Sequence, residues 1–240
     1  MFLGAFALVT GWVGLRFGTV RADPGPSDLL SADASAGVCS GWVQVNADAF
    51  GLGPGPDGTY CSEEGFEVAV CGDQLYVGME ADDTLGARIW RTRPGVNIAR
   101  TQEDWEEVAA VDGAPFGNES FSNGKRQNVH IDSLVDLEGA LYASTANGGG
   151  TEQGAMVYSS TTGASESWSP AIEPGFGDVH NVNFKDMQVF DGWLCGGTHN
   201  WKSGAEVWCT RDGEAWGKKS TSGFGNALIQ EIGSGHVFEG

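Results

Sequence analysis

Residues 189–216 read VFDGWLCGGTHNWKSGAEVWCTRDGEAW, and this stretch decides the fold. Met187 to Phe190 is an apolar run stopped by Asp191-Gly192, a pair that enters tight turns because both residues tolerate left-handed backbone. Leu194 to Thr198 is a second strand. The polar loop His199 to Ser203 leads to a third, Gly204 to Trp208. Asp212-Gly213 makes another tight turn, and Trp216 opens a fourth strand.

Two further copies lie upstream. One runs from Ile131 through Glu138-Gly139, Leu141 to Thr145, Gly154 to Tyr158 and Trp168. The other runs from Phe66 through Gly72-Asp73, Leu75 to Met79, Gly86 to Trp90 and Trp105. Their second strands start at Leu75, Leu141 and Leu194, so the spacings are 141−75 = 66 and 194−141 = 53, with the excess in loops. A Phe-Gly pair follows each copy, at Phe116-Gly117, Phe176-Gly177 and Phe224-Gly225. Repeated four-stranded meanders of about 40–50 residues are the mark of a propeller. One such sheet cannot cover both of its faces, so neighbours must stack. The aromatics recurring on strand three (Trp90, Tyr158, Trp208) and at strand four (Trp105, Trp168, Trp216) are expected between sheets.

The turn Thr210-Arg211-Asp212-Gly213-Glu214-Ala215-Trp216, one residue short of Ser-x-Asp-x-Gly-x-x-Trp, resembles the Asp-box (BNR) turn of sialidase-like propellers. Only this copy keeps the aspartate. As architecture the resemblance covers roughly residues 39–240. In that family the turn is structural and far from the active site, so it implies fold and not chemistry.

The expected organisation is therefore all-β: a β-propeller of four-stranded antiparallel blades over 39–240. Its full blades fall near 62–112, 128–173 and 181–221. A lone outer strand at 41–46 and a partial first strand at 228–240 make the array read as truncated in mid-blade, with open edges that invite association. Residues 1–22 read as a signal peptide, with an apolar run from Phe2 to Leu15 and a small-residue cleavage site near Ala22, although no basic residue precedes the run. The competing reading is an arbitrary N-terminus from a partial gene. The run is too short to span a bilayer, which needs roughly 20 residues. A Pro/Ser/Asp/Ala-rich linker follows at 23–38. This gives an extracellular or cell-surface expectation.

Of the 240 residues, 32 are acidic and 13 are Lys or Arg, a net charge of −19. Such a surface repels phosphate backbones, so no nucleic-acid partner is expected. The 38 glycines, without a collagen period, are turn residues. Five cysteines (Cys39, Cys61, Cys71, Cys195, Cys209) match no zinc pattern. Cys195 and Cys209 fall on neighbouring strands, and Cys61 could bridge Cys39 or Cys71. Buried free thiols fit the spacing as well.

The loops between strands two and three, and the connections between copies, emerge on one face, where propellers usually bind ligands. The candidate ligand-binding residues on it are Asn128, His130, Asn147, Asn181, Asn183, His199, Asn200 and Trp201. Amides there also cap turns, whereas Trp201 stands in a polar loop outside the repeated aromatics. Glu80, Asp82 and Asp83 form an acidic cluster of the kind that binds Ca²⁺, and no other cofactor is expected. No nucleophile elbow, phosphate-binding loop or dinucleotide fingerprint occurs. The leading reading is a non-catalytic module for a glycan or protein ligand. The alternatives are a sialidase-like glycoside hydrolase or lyase using top-face carboxylates, and a structural module of a larger extracellular protein.

Overall fold

The computed structural model describes residues 45–46, 48–51, 64–80, 86–110, 128–147 and 153–238. Among the described residues, twelve strands form three successive four-stranded antiparallel meanders. The first comprises β1 (Glu64–Cys71), β2 (Gln74–Glu80), β3 (Arg88–Thr92) and β4 (Trp105–Ala110). The second comprises β5 (His130–Leu137), β6 (Ala140–Ala146), β7 (Val157–Ser160) and β8 (Ser169–Pro170). The third comprises β9 (Asn183–Phe190), β10 (Trp193–His199), β11 (Val207–Thr210) and β12 (Gly217–Lys218). Among the described residues there is no α-helix, only short 3-10 turns. The all-β meander architecture expected from the repeat is what the structure shows.

Successive meanders join where the end of one second strand meets the start of the next first strand: Glu80 pairs with His130, and Ala146 with Asn183. Side chains of facing sheets fill the space between them, because each pleated sheet is apolar on both faces. Between the first and second meanders lie Tyr76, Ile89, Val108, Ile131, Leu134, Leu141, Tyr158 and Trp168. Between the second and third lie Leu137, Tyr142, Val157, Phe184, Met187 and Leu194, with Phe176, Trp208 and Trp216 packed against them. Trp90 and Trp105 face the other way, with Val45, Phe50, Leu75 and Val77. The Trp105 indole also donates to the Val45 carbonyl at 2.9 Å. Equivalent aromatics thus occupy the same face of every meander. Arg88 and Arg91 are buried and paired, with Glu107 at 2.6 Å and Glu106 at 2.8 Å, so they brace β3 against β4.

The expected strand limits need correction. The third strands begin two or three residues later than the sequence suggests, because Gly86, Gly154 and Gly204 take positive φ (79°, 75° and 94°) and belong to the loops. The second and third fourth strands are two residues long and start just after Trp168 and Trp216. Of the lone strand proposed at 41–46, Val45 and Asn46 are not in a strand and the rest lies outside the described residues. Of the partial strand expected at 228–240, the described residues 228–238 make a single bridge, His199 to Glu231, instead of a strand. Residues 1–38, with the proposed signal and linker, lie outside the described residues, as do Cys39 and Cys61. Cys195 and Cys209 face each other on β10 and β11 and form a disulfide, and Cys71 is a free thiol.

Candidate functional site

The connections between meanders are built on buried asparagines. Asn128 takes left-handed backbone at φ 55° and is fully buried. Its Oδ1 accepts from the Thr145 hydroxyl (2.7 Å) and from Asn147 Nδ2 (3.1 Å), and its Nδ2 donates to the Tyr158 hydroxyl (3.0 Å). Asn147 Nδ2 also reaches the Gly154 carbonyl at 2.6 Å. The third meander repeats the device. Asn200 Nδ2 donates to Asn181 Oδ1 (2.9 Å) and Asp178 Oδ2 (3.1 Å), while Asn181 Nδ2 donates to the Gly175 carbonyl (2.9 Å). Thr198 Oγ1 accepts from the Glu206 N–H as Thr145 Oγ1 does from Met156. Asn128, Asn147, Asn181 and Asn200 are therefore committed within the protein, as buried amides must be.

His130 and Asn183 are brought together by a residue that the repeat pattern does not reveal. Asp132 sits at a bulge, where β5 places Ile131 to Ser133 against adjacent residues of β6. Its Oδ1 meets His130 Nε2 at 2.9 Å and its Oδ2 accepts from Asn183 Nδ2 at 2.9 Å. Glu80 approaches the other ring nitrogen at 3.7 Å. Burial works against a charged imidazole here, but the hydrogen bonds and negative charges of Asp132 and Glu80 outweigh it and hold the His130 pKa up at about 9. Asp82 and Asp83 lie outside the described residues. Among the described residues no three His, Cys, Asp or Glu side chains are placed to hold a metal ion.

More charge lies along the first strands of the meanders. Burial pushes the Glu67 carboxyl above its ordinary range and the nearby Asp186 adds to this, against the Val68 N–H that it accepts. Asp186 takes φ 53° and accepts from the Gly235 N–H. Lys185 Nζ lies 2.6 Å from Glu231, which it holds below the usual carboxylate range.

Trp201 stands in the loop after β10 and is 41% exposed. His199 and His180 pack against it in T-shaped fashion, at centroid separations of 5.8 and 6.4 Å and interplanar angles of 77° and 61°. Lys202 Nζ approaches His180 Nε2 at 2.7 Å, and the Trp201 carbonyl accepts from Gln230 at 3.0 Å. His199 and Trp201 thus form one cluster; His130 and Asn183 form another around Asp132. A separate open cleft of about 490 Å³ lies at the outer edge of the second and third meanders, lined by Ile172, Glu173, Phe176, Trp208, Glu214 and Trp216 among others.

No family model matches the chain, and no curated protein sequence matches it. Among solved structures it is similar to Bacteroides ovatus xyloglucan PUL GH43B, at 15% identity and a TM-score of 0.39, over 65% of this chain and 30% of that one. It is also similar to Trypanosoma rangeli sialidase, at 12% identity and 0.35, over 60% and 22%. A third is CoXyl43, a GH43 β-xylosidase/α-arabinofuranosidase from a compost microbial metagenome, at 11% identity and 0.40, over 72% and 66%. The chain thus spans well under half the length of the first two.

Proposed function

We propose that the three meanders are consecutive blades of a sialidase-like propeller and that the chain is a carbohydrate-directed module. Its ligand lies at the face carrying His130, Asn183, His199 and Trp201. The observation that carries this reading is the exposed indole of Trp201, flanked by two imidazole rings in a loop with no part in the core. A pyranose ring presents an apolar C–H face that stacks on such an indole, and its hydroxyls donate to the carboxylates and imidazoles nearby. The turn at Thr210 supports the propeller assignment. Asp212 Oδ1 accepts from the Thr210 hydroxyl and from the N–H groups of Glu214 and Ala215 at 2.8–3.0 Å, which closes the turn between β11 and β12. The Cys195–Cys209 bridge fits an exported protein in an oxidising compartment.

A second reading is hydrolysis of a glycosidic bond by carboxylates of that same face, where Glu80 and Asp132 flank His130 at 3.7 and 2.9 Å. A glycan array read alongside a panel of chromogenic glycosides tests both. Binding lost in Trp201→Ala without turnover in the wild type supports the binding module. Turnover lost in Glu80→Gln with binding kept supports the hydrolase. Silence of the wild type in both assays overturns the carbohydrate reading.

A further inference from the structure

Phe50 before the first meander, Phe176 between the second and third, and Phe224 after the third occupy one place in the repeat, each with left-handed backbone at φ 53°, 56° and 51°. Phe176 inserts into the third meander, stacked on Trp208 at 4.6 Å and 10°, with Trp216 at 5.6 Å. Phe50 inserts into the first in the same way, on Trp90 at 4.9 Å and 13° and edge-on to Trp105 at 5.3 Å. In each case the phenyl ring fills the gap between the strand-three and strand-four indoles of the meander that follows it. Phe224 makes the same turn but is 57% exposed.

The backbone beyond Phe224 keeps the register of an interface already present. Gly223 N–H donates to Ala205 as Gly175 does to Ala155, at 2.7 and 2.8 Å. Ala205 N–H donates to Ile229 as Ala155 does to Asn181, and Asn200 N–H donates to Gln230 as Asn147 does to Val182, all at 2.7–2.8 Å. The His199–Glu231 bridge repeats Ala146–Asn183 and Glu80–His130. Ile232 fills the space over Gly197 that Ile131 fills over Gly78. In sequence, Val237-Phe238-Glu239-Gly240 repeats Val189-Phe190-Asp191-Gly192.

We infer that Phe224 and the free side of the third meander are the docking surface for a further four-stranded meander of this same repeat, whose first strand corresponds to the segment from Glu231 onward. That meander presents a strand-three aromatic and a strand-four indole to Phe224. The surface continues the interface between the second and third meanders bond for bond, and this identifies its occupant. The first meander of a second copy does not serve, because Phe50 already fills the gap between Trp90 and Trp105.

The test extends the chain past Gly240 with a second copy of residues 193–225. In sequence, Glu239-Gly240 is then followed as Asp191-Gly192 is, and a second Trp208/Trp216 pair is supplied. Phe224→Ala is expected to shift the melting temperature of the 240-residue chain by about 1 °C or less. In the extended chain it lowers it by roughly 5 °C or more, and limited proteolysis leaves the added segment intact. Phe176→Ala, the control, destabilises both chains. An equal effect of Phe224→Ala in the two chains, or proteolytic removal of the added segment, overturns the inference.

Discussion

The phenolic oxygen of Tyr142 occupies the space that a Cβ on Gly213 would need, and Tyr76 stands in the same relation to Gly163. Each tyrosine belongs to the second strand of one meander, and each glycine to the strand-three turn of the next. Both glycines take positive φ, 75° and 62°. Gly213→Ala and Gly163→Ala therefore combine left-handed strain with a steric clash, and each is expected to cost roughly 3 kcal/mol or more. Gly192→Ala, at φ 71° with nothing within 4 Å, is expected to cost about 1 kcal/mol. Urea denaturation of the three variants measures the difference.

Glu206 is buried at the second interface, where it accepts from Ser222 Oγ (2.6 Å), Trp208 Nε1 (2.9 Å) and Lys218 Nζ (3.0 Å). Burial opposes its charge, but these donors prevail and hold its pKa below the ordinary carboxylate value. A depressed folded-state pKa means that the stabilisation is present above the unfolded-state pKa and is lost as pH falls through the folded one. Glu206→Gln is expected to lose about 2 kcal/mol at pH 7. The gap from wild type should narrow below pH 4 in urea melts taken across the acid range.

His130 has the opposite sign. Its folded-state pKa is raised from 6.5 to about 9, so its contribution is complete below pH 6.5 and disappears between pH 6.5 and 9. That loss amounts to at most about 3 kcal/mol. Melting temperatures from pH 6 to 9.5 should fall more steeply for wild type than for His130→Gln, the two curves converging near pH 9.5.

The disulfide closes a loop of sequence separation 14, and reducing it should cost roughly 2–3 kcal/mol. Cys71 will not obscure the measurement. Its thiol donates to Asp136 Oδ2 at 2.8 Å, and burial together with that carboxylate pushes its pKa up to about 12. Alkylation at pH 8 should therefore be slow at Cys71 in the native chain and fast in urea. Mass spectrometry of the two labelling reactions reads this directly.

The repeat was legible because its signals are local. Asp191-Gly192 and Glu138-Gly139 mark hairpins, and Leu75, Leu141 and Leu194 open matching strands whose aromatics share one face. Strand limits at Gly86, Gly154 and Gly204 were not, because an apolar run after a glycine reads as strand whichever side of the glycine the loop ends. The repeated asparagines were recognised as a set, but their spacing cannot distinguish an amide aimed at a ligand from one aimed at Tyr158 or Asp178. Asp132 and Asp186 escaped notice because their placement depends on irregularities in strand pairing, at Ile131/Ser133 and Cys195/Gly197, that leave no mark in composition. Glu206 was hidden by its position in a run that reads as ordinary strand.

The most direct measurement follows the indole N–H resonances of the nine tryptophans during titration with the best binder from a glycan array. A ligand at the proposed face shifts the Trp201 signal with saturating behaviour, and the shift vanishes with binding itself in Trp201→Ala. A titration that moves Trp208 and Trp216 in the outer cleft while leaving Trp201 unchanged would contradict the account.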